Sequence, residues 1–386
     1  MHSAAAAREK IPELQLVRAI AIIGVLCVHS TSFATLYMTE SSLYDVYNFV
    51  NIFMKYGTPT FIFLSSFVLF YNYYARPLDK PTLKRFYERR MLYILLPYLF
   101  FSIFYFMLVH FLYYSTRPLG ESLADFALQL LTGKAYTHLY FVFISIQFYL
   151  LFPVCLWLFK RYPALLRWSI PLGLAIQWAF VIVNKYEWQV PNKGSWSLSY
   201  MSYFLMGAFL GVCYQKAKPW LTMSMDHAGG RRVFGWIALW SVWLAAGLAH
   251  VYIWRQARLF GTDYNTTLYE LLWNVHTFAA AIVVFQLAFL VKKMASTGIV
   301  RWLSRLGELS FGIYLIHPFF LLLYRAYPPH SGAPWLNHLW YAGGFLFALV
   351  CSWIAVAAAA RLLPFSWLLF GSLMKPEQRQ KRTVDG

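Results

Sequence analysis

Ten stretches of this 386-residue chain are apolar for long enough to cross a bilayer, at roughly 14–36, 46–71, 90–114, 138–159, 167–184, 198–214, 233–251, 271–292, 309–327 and 338–360. A helix needs about 20 apolar residues to cross the hydrocarbon core. In lipid, only helices and closed barrels satisfy every backbone donor and acceptor, and runs of this length select helices. The sequence therefore predicts an all-α, polytopic transmembrane helix bundle of about ten spans. The fifth and sixth spans are short. Composition agrees: 60% of residues are hydrophobic, 20% aromatic and 12% charged, with a mean hydropathy of +0.51. A soluble domain cannot keep that much apolar surface dry.

The formal charge of +18 does not mark a nucleic-acid partner, because the basic residues sit in short loops between apolar runs. They alternate instead as topology signals. With the N-terminus placed in the cytoplasm, 25 of the 33 lysines and arginines fall on the inward side and seven on the outward side, with Lys55 inside a span. Both termini are then expected in the cytoplasm. No repeat or separate soluble domain is visible, so residues 1–386 are expected to form a single membrane-embedded domain. Its end, 361–386, reads as an interfacial segment followed by a basic tail. The first apolar run is too long for a signal-peptide core and lacks a small-x-small cleavage site, so it is expected to be retained. The four cysteines lie in apolar runs without metal-ligand or redox spacing and read as small buried hydrophobes. No metal site is expected.

Ionisable groups inside a membrane are costly and commonly mark function. All fifteen carboxylates fall in loops or at span ends, Glu270 and Glu308 included. That argues against a transporter driven by a buried acid. The costly groups are cationic or neutral. In "LVRAIAIIGVLCVHS", Arg18 and His29 are eleven residues apart. At about 100° per residue they share one helical face, about 16 Å apart along the axis. Taken singly, Arg18 reads as a snorkelling anchor and His29 as an interfacial histidine; the shared face makes a common role more attractive. Lys55, in "NIFMKYGTPTFIFLSSFVLF", lies about 13 Å inside the second span, where Gly57 and Pro59 loosen the helix. It either lines a polar cavity or snorkels outward.

Two further places carry chemistry. In "LKRFYERRMLYILLPYLF", Arg85, Arg89 and Arg90 open the third span, as a topology signal or as a phosphate-binding cluster. In "ELSFGIYLIHPFF", Ser310, Tyr314 and His317 recur at helical spacing on one face, and Pro318 frees a backbone carbonyl nearby. His317 bonded to such a carbonyl is the ordinary structural alternative. His276 and Asn274 form a weaker candidate pair, while Gln147, Gln177 and His250 read as packing or rim groups.

With these residues in view, the chain resembles the acyltransferase-3 family of integral-membrane O-acyltransferases over roughly 11–360. Four places carry the resemblance: the Arg18–His29 pattern; "FIFLSSFVLF", with Ser66 where the family usually has glycine; the arginine-rich "RFYERRMLYILLPY"; and "LSFGIYLIHP". The chain looks like a stand-alone member without an additional hydrolase-like domain. The resemblance implies transfer of an acyl group, acetyl or succinyl, from cytosolic acyl-coenzyme A to a hydroxyl of an extracytoplasmic cell-surface glycan or lipid-linked sugar. It also implies residence in the bacterial cytoplasmic membrane, and acyl-CoA as a donor substrate rather than a permanently bound cofactor.

On this reading Arg85, Arg89 and Arg90, with Arg18 and Ser310 nearby in role, hold the donor. His29 is the general base, and Lys55, Tyr314 and His317 are candidate oxyanion donors. An exporter or flippase of a polysaccharide or lipid-linked glycan is the alternative. Neither a buried acid nor an inverted repeat supports it.

Overall fold

The computed structural model describes residues 9–225, 229–329 and 333–372, apart from the side chains of Leu119 and Pro334. Arg8 and the expected basic tail with Lys375, Arg379, Lys381 and Arg382 lie outside the described residues. Among the described residues the regular elements are all helical. In chain order the principal helices are α1 Glu13–Thr31, α2 Tyr44–Phe53, α3 Gly57–Tyr73, α4 Lys80–Arg90, α5 Leu96–Tyr113, α6 Leu119–Thr132 and α7 Tyr140–Arg161. They continue with α8 Ser169–Val183, α9 Met201–Val212, α10 Tyr214–Leu221, α11 Gly230–Phe260, α12 Thr266–Met294, α13 Thr297–Arg325 and α14 Pro334–Leu362.

Eight stretches among the described residues are long and apolar enough to cross a membrane: Glu13–Tyr37, Tyr44–Tyr73, Lys80–Tyr113, Tyr140–Arg161, Gly230–Phe260, Thr266–Met294, Thr297–Arg325 and Trp335–Leu362. They correspond to the first four and last four expected spans. The two short spans behave differently. The fifth is α8, a helix of 15 residues, after which the polar Asn184, Lys185 and Glu187 form a wide π-turn. The sixth is Ser197–Val212, which meets α10 at a bend of 105°. Lys216 and Lys218 in α10 explain the bend, because a segment that polar is more stable along an interface than across the hydrocarbon.

Several helices run further than the apolar pattern indicates. α13 begins at Thr297, so Glu308 lies inside a helix rather than in a loop or at its end, paired with Arg305 at 3.0 Å. α11 continues to Phe260, which places Arg258 in the last turn of a helix rather than in a loop, and Arg325 stands in the last turn of α13.

The helices group into two compact units. One contains Ile62–Val212 with Glu9 and the described residues from Ala358 onward. In it, Gly207 and Gly211 of α9 lie so close to α3 that a Cβ on either would overlap the carbonyl of Phe63 or Phe67. This is the small-residue packing that membrane helices use in place of hydrophobic burial. Ser66, where the family usually carries glycine, fits this seam by donating its hydroxyl to the Phe204 carbonyl at 2.5 Å. The short helix Ser366–Phe370 lies on the third span, with Phe370 5.8 Å from the Phe101 ring.

The other unit contains Lys10–Phe61 and Cys213–Ala357. α1 is its centre. Gly307 of α13 rests directly on the Gln15 backbone, with no room for a Cβ. Gly24 lies under Met54 and Tyr56, and Gly57 lies against Ala21 and Val25. At the N-terminal end of α1, Glu13 pairs with Lys292 of α12 at 2.6 Å.

Candidate active site

The last four carbonyls of any α-helix lack intrahelical donors, so the end of α1 needs partners from outside the helix. Three neighbours supply them. Asn51 of α2 donates to the Val28 carbonyl at 3.0 Å. The Ser32 hydroxyl donates to the His29 carbonyl at 2.9 Å. Arg325, in the last turn of α13, donates from Nη2 to the same carbonyl at 2.5 Å and to Ser32 Oγ at 3.2 Å. Its guanidinium also lies 3.9 Å from the centre of the Phe33 ring. A cation at a helix C-terminus is favoured by the macrodipole as well as by the hydrogen bonds. The backbone that carries His29 is thereby fixed from two other helices.

The His29 imidazole is half-buried and meets the His317 ring edge-on, with centroids 5.1 Å apart and planes inclined at 67°. His317 is fully buried, and its position follows from Pro318. Proline has no N–H, so in α13 the carbonyl four residues back, that of Tyr314, loses its helical donor. His317 Nδ1 takes up that carbonyl at 2.8 Å, with Ile313 O at 3.2 Å. The carbonyl assigns the proton to Nδ1, so a neutral His317 presents a lone pair at Nε2. Tyr314 is buried with its ring 5.9 Å from that of His317, and Ser310 is buried one turn earlier. The structure therefore brings His29, His317 and Tyr314 together.

Arg18 lies in the same continuous helix as His29, is half-buried, and donates to Gln15 Oε1 at 3.0 Å. Lys55 sits in the turn between α2 and α3, where the second span breaks. Its ammonium is 4.8 Å from the centre of the Trp254 ring. The break also leaves the Phe53 carbonyl free, and His276 meets it through Nε2 at 2.9 Å while Nδ1 meets Trp243 O at 3.1 Å. His276 thus faces the backbone through both nitrogens and, with one N–H when neutral, donates to one of these two carbonyls, which makes it a brace for the broken span.

The three arginines before the third span separate on α4. Asp79 caps this helix by accepting from the Thr82 hydroxyl and from its amide, the latter at 2.9 Å, and those hydrogen bonds hold the Asp79 carboxyl below its usual pKa. Arg85 and Arg89, four residues apart on one face, are exposed. Arg90 turns away from them, with its guanidinium 4.8 Å from the Tyr149 ring and 5.4 Å from the Phe86 ring.

Two functional-site neighbours escape the sequence reading, Arg325 and Arg258. Arg258 lies seven residues beyond the apolar run 233–251 and Arg325 two residues before the end of 309–327, so each looks like an ordinary flanking cation. The available signal was spacing: each stands eight residues, about two turns, after a buried polar residue, His317 in α13 and His250 in α11.

A family model described as an acyltransferase domain matches residues 11–357. The chain is also similar to two curated relatives, both from Staphylococcus epidermidis and both called a probable poly-beta-1,6-N-acetyl-D-glucosamine export protein. Each is 25% identical over 332 residues, covering 80% of this chain and 81% of the relative. No solved structure matches the chain.

Proposed function

The chain belongs to the acyltransferase-3 family, and on that premise we propose that it moves an acetyl or succinyl group from cytosolic acyl-coenzyme A to a hydroxyl of an extracytoplasmic glycan, with His29 as general base. That it is a multi-pass membrane acyltransferase follows from the family match and the apolar helices. The donor, the acceptor and the base are the proposal. The observation that carries it is the His29–His317 pair, 5.1 Å apart on two helices that meet without room for a side chain at Gly307.

In this reading the acceptor hydroxyl loses its proton to His29 as its oxygen bonds to the thioester carbonyl carbon. The tetrahedral intermediate collapses with cleavage of the C–S bond. The proton passes from His29 to the departing sulfur, so coenzyme A leaves as the thiol and His29 returns to its neutral form. Tyr314 suits the oxyanion as a hydroxyl donor. His317, with its proton on Nδ1, donates from Nε2 only as the imidazolium, so its neutral role is to orient His29. Lys55 faces Trp254 and fits a binding role better than an oxyanion role. Exposed Arg85 and Arg89 suit the phosphates of the donor, and Arg18 stands at the opposite end of α1 from the base.

The test supplies purified protein with radiolabelled acetyl- or succinyl-coenzyme A and total cell-envelope glycan. Loss of a general base costs about 10²–10⁴-fold. His29→Ala and His29→Gln are expected to lose labelling on that scale while folding normally. Equal labelling in the variants would overturn the assignment.

The name of the two relatives favours one second reading, export of a glycan. Glycan flux into vesicles, with no acyl transfer from either donor, is the outcome that would establish it.

A further inference from the structure

The second polar cluster of the α1-centred unit lies beside the end of α1 and has its own logic. Arg258 donates from Nη1 to Asn48 Oδ1 and from Nη2 to Asn51 Oδ1, each at 3.0 Å. Both asparagines are buried, and each is itself fixed. Asn48 donates to the Val251 carbonyl at 3.0 Å, and Asn51 donates to Val28 O at 3.0 Å and to Thr31 Oγ1 at 3.3 Å. These bonds settle which way the amides point, so their oxygens must face Arg258. The guanidinium is therefore held in place before anything binds.

Trp254 then collects two cations. The Arg258 guanidinium carbon is 4.9 Å from the centre of its ring, and the Lys55 ammonium is 4.8 Å from it. The indole N–H donates to His250 Nε2 at 2.9 Å, which fixes the ring. Lys55 and Arg258 are therefore two like charges held at one ring. Among the described residues, neither forms an ion pair, and the nearby acid Asp45 is taken by Arg255 at 2.5 Å. Lys55, Trp254 and Arg258 are all half-buried rather than sealed in the core.

Two half-buried positive charges gathered on one ring, with Arg258 hydrogen-bonded only to uncharged groups and neither cation paired with an acid among the described residues, are unfavourable without an anion. A guanidinium with donors to spare beside an ammonium is the usual means of holding phosphate or carboxylate oxygens.

We propose that Lys55 and Arg258, gathered at Trp254 and braced by Asn48 and Asn51, bind an oxyanion carried by a substrate. The oxyanion is a phosphate of the glycan acceptor or the carboxylate of a dicarboxylic acyl group. Asn51 links this site to Val28, next to His29, so the anion is held at the end of α1 where the base stands. The assignment rests on the acyl-transfer reading only for which substrate brings the oxyanion. The binding itself is independent of it.

The experiment measures thermal unfolding of the full chain in detergent with inorganic pyrophosphate or with succinate, at constant ionic strength. The background is an Arg85→Ala/Arg89→Ala variant, so that the exposed arginines of α4 do not contribute. One of the two anions is expected to raise the midpoint, and Lys55→Gln and Arg258→Gln are each expected to abolish the rise. His29→Ala is expected to retain it. Pyrophosphate as the active anion points to a phosphate-bearing acceptor, and succinate to a dicarboxylic donor. No rise with either anion, a rise that survives both glutamine variants, or a rise given only by phosphatidylglycerol micelles would overturn the proposal. Because no acyl transfer is measured, a failed His29 assignment would leave these outcomes unchanged.

Discussion

Arg325 donates to the backbone carbonyl of His29 at 2.5 Å, and so ties the last turn of α13 to the last turn of α1. The two residues are 296 positions apart in the chain. One holds the candidate base by its backbone, while His317 on the same helix meets its ring. The site is thus a product of two helices locked together at both ends: Gly307 on Gln15 at one, Arg325 on His29 at the other.

Removing the clamp is expected to misplace the imidazole without unfolding the helix. A misplacement of about 1 Å costs about 10²-fold in a preorganised site. Arg325→Ala should lower kcat toward that scale with little change in KM. Arg325→Lys should not restore it, because an ammonium lacks the planar fork that reaches His29 O and Ser32 Oγ while covering Phe33. Full activity in Arg325→Ala would show that the clamp does not position His29.

The position of His317 depends on Pro318, and this can be reversed by one substitution. In Pro318→Ala the new N–H can bond the Tyr314 carbonyl and compete with His317 Nδ1. Activity is expected to fall about tenfold, equivalent to about 1.4 kcal/mol. Thermal stability is expected to hold or rise, since a helix-interior proline is removed. Unchanged activity would mean that the His317–carbonyl bond serves structure alone.

The arginines of α4 are expected to separate by phenotype. Arg85→Ala and Arg89→Ala should each raise KM for acyl-coenzyme A, by about tenfold if one charge-assisted contact of about 1.5 kcal/mol is lost. Arg90→Ala should instead lower the unfolding temperature, because its guanidinium packs on Tyr149 and Phe86. Equal KM effects for all three would mean that Arg90 turns to the donor in the working enzyme.

Gly307→Ala places a methyl group on the Gln15 carbonyl oxygen. Either α13 or α1 must shift, and overpacking of this kind costs about 1–3 kcal/mol. Melting in detergent should occur at lower temperature, and activity should fall with it because His29 and His317 ride on these two helices. A variant with wild-type melting would show that the helices have slack at this crossing.

The class of fold was readable from the order of residues alone, because nothing but helices satisfies the backbone in lipid over runs this long. The same order also picked out the polar residues of α1 and α13, since helical periodicity and the chemistry of proline are local. His317 beside a carbonyl freed by Pro318 was legible for that reason. Where a helix ends depends on more than hydropathy, so the α8 segment and the bend before α10 differ from the apolar pattern, and Glu308 and Arg258 lie in helices rather than in loops or at span ends.

Which polar groups meet is set by how the helices pack. That His29 faces His317, that Arg325 rather than a nearer residue holds its carbonyl, and that Lys55 turns to Trp254 all depend on the crossing of helices far apart in the chain. The crossings are set by where glycines let backbones touch. Sequence spacing fixes the face a side chain occupies, but contact between faces is a property of the packed bundle.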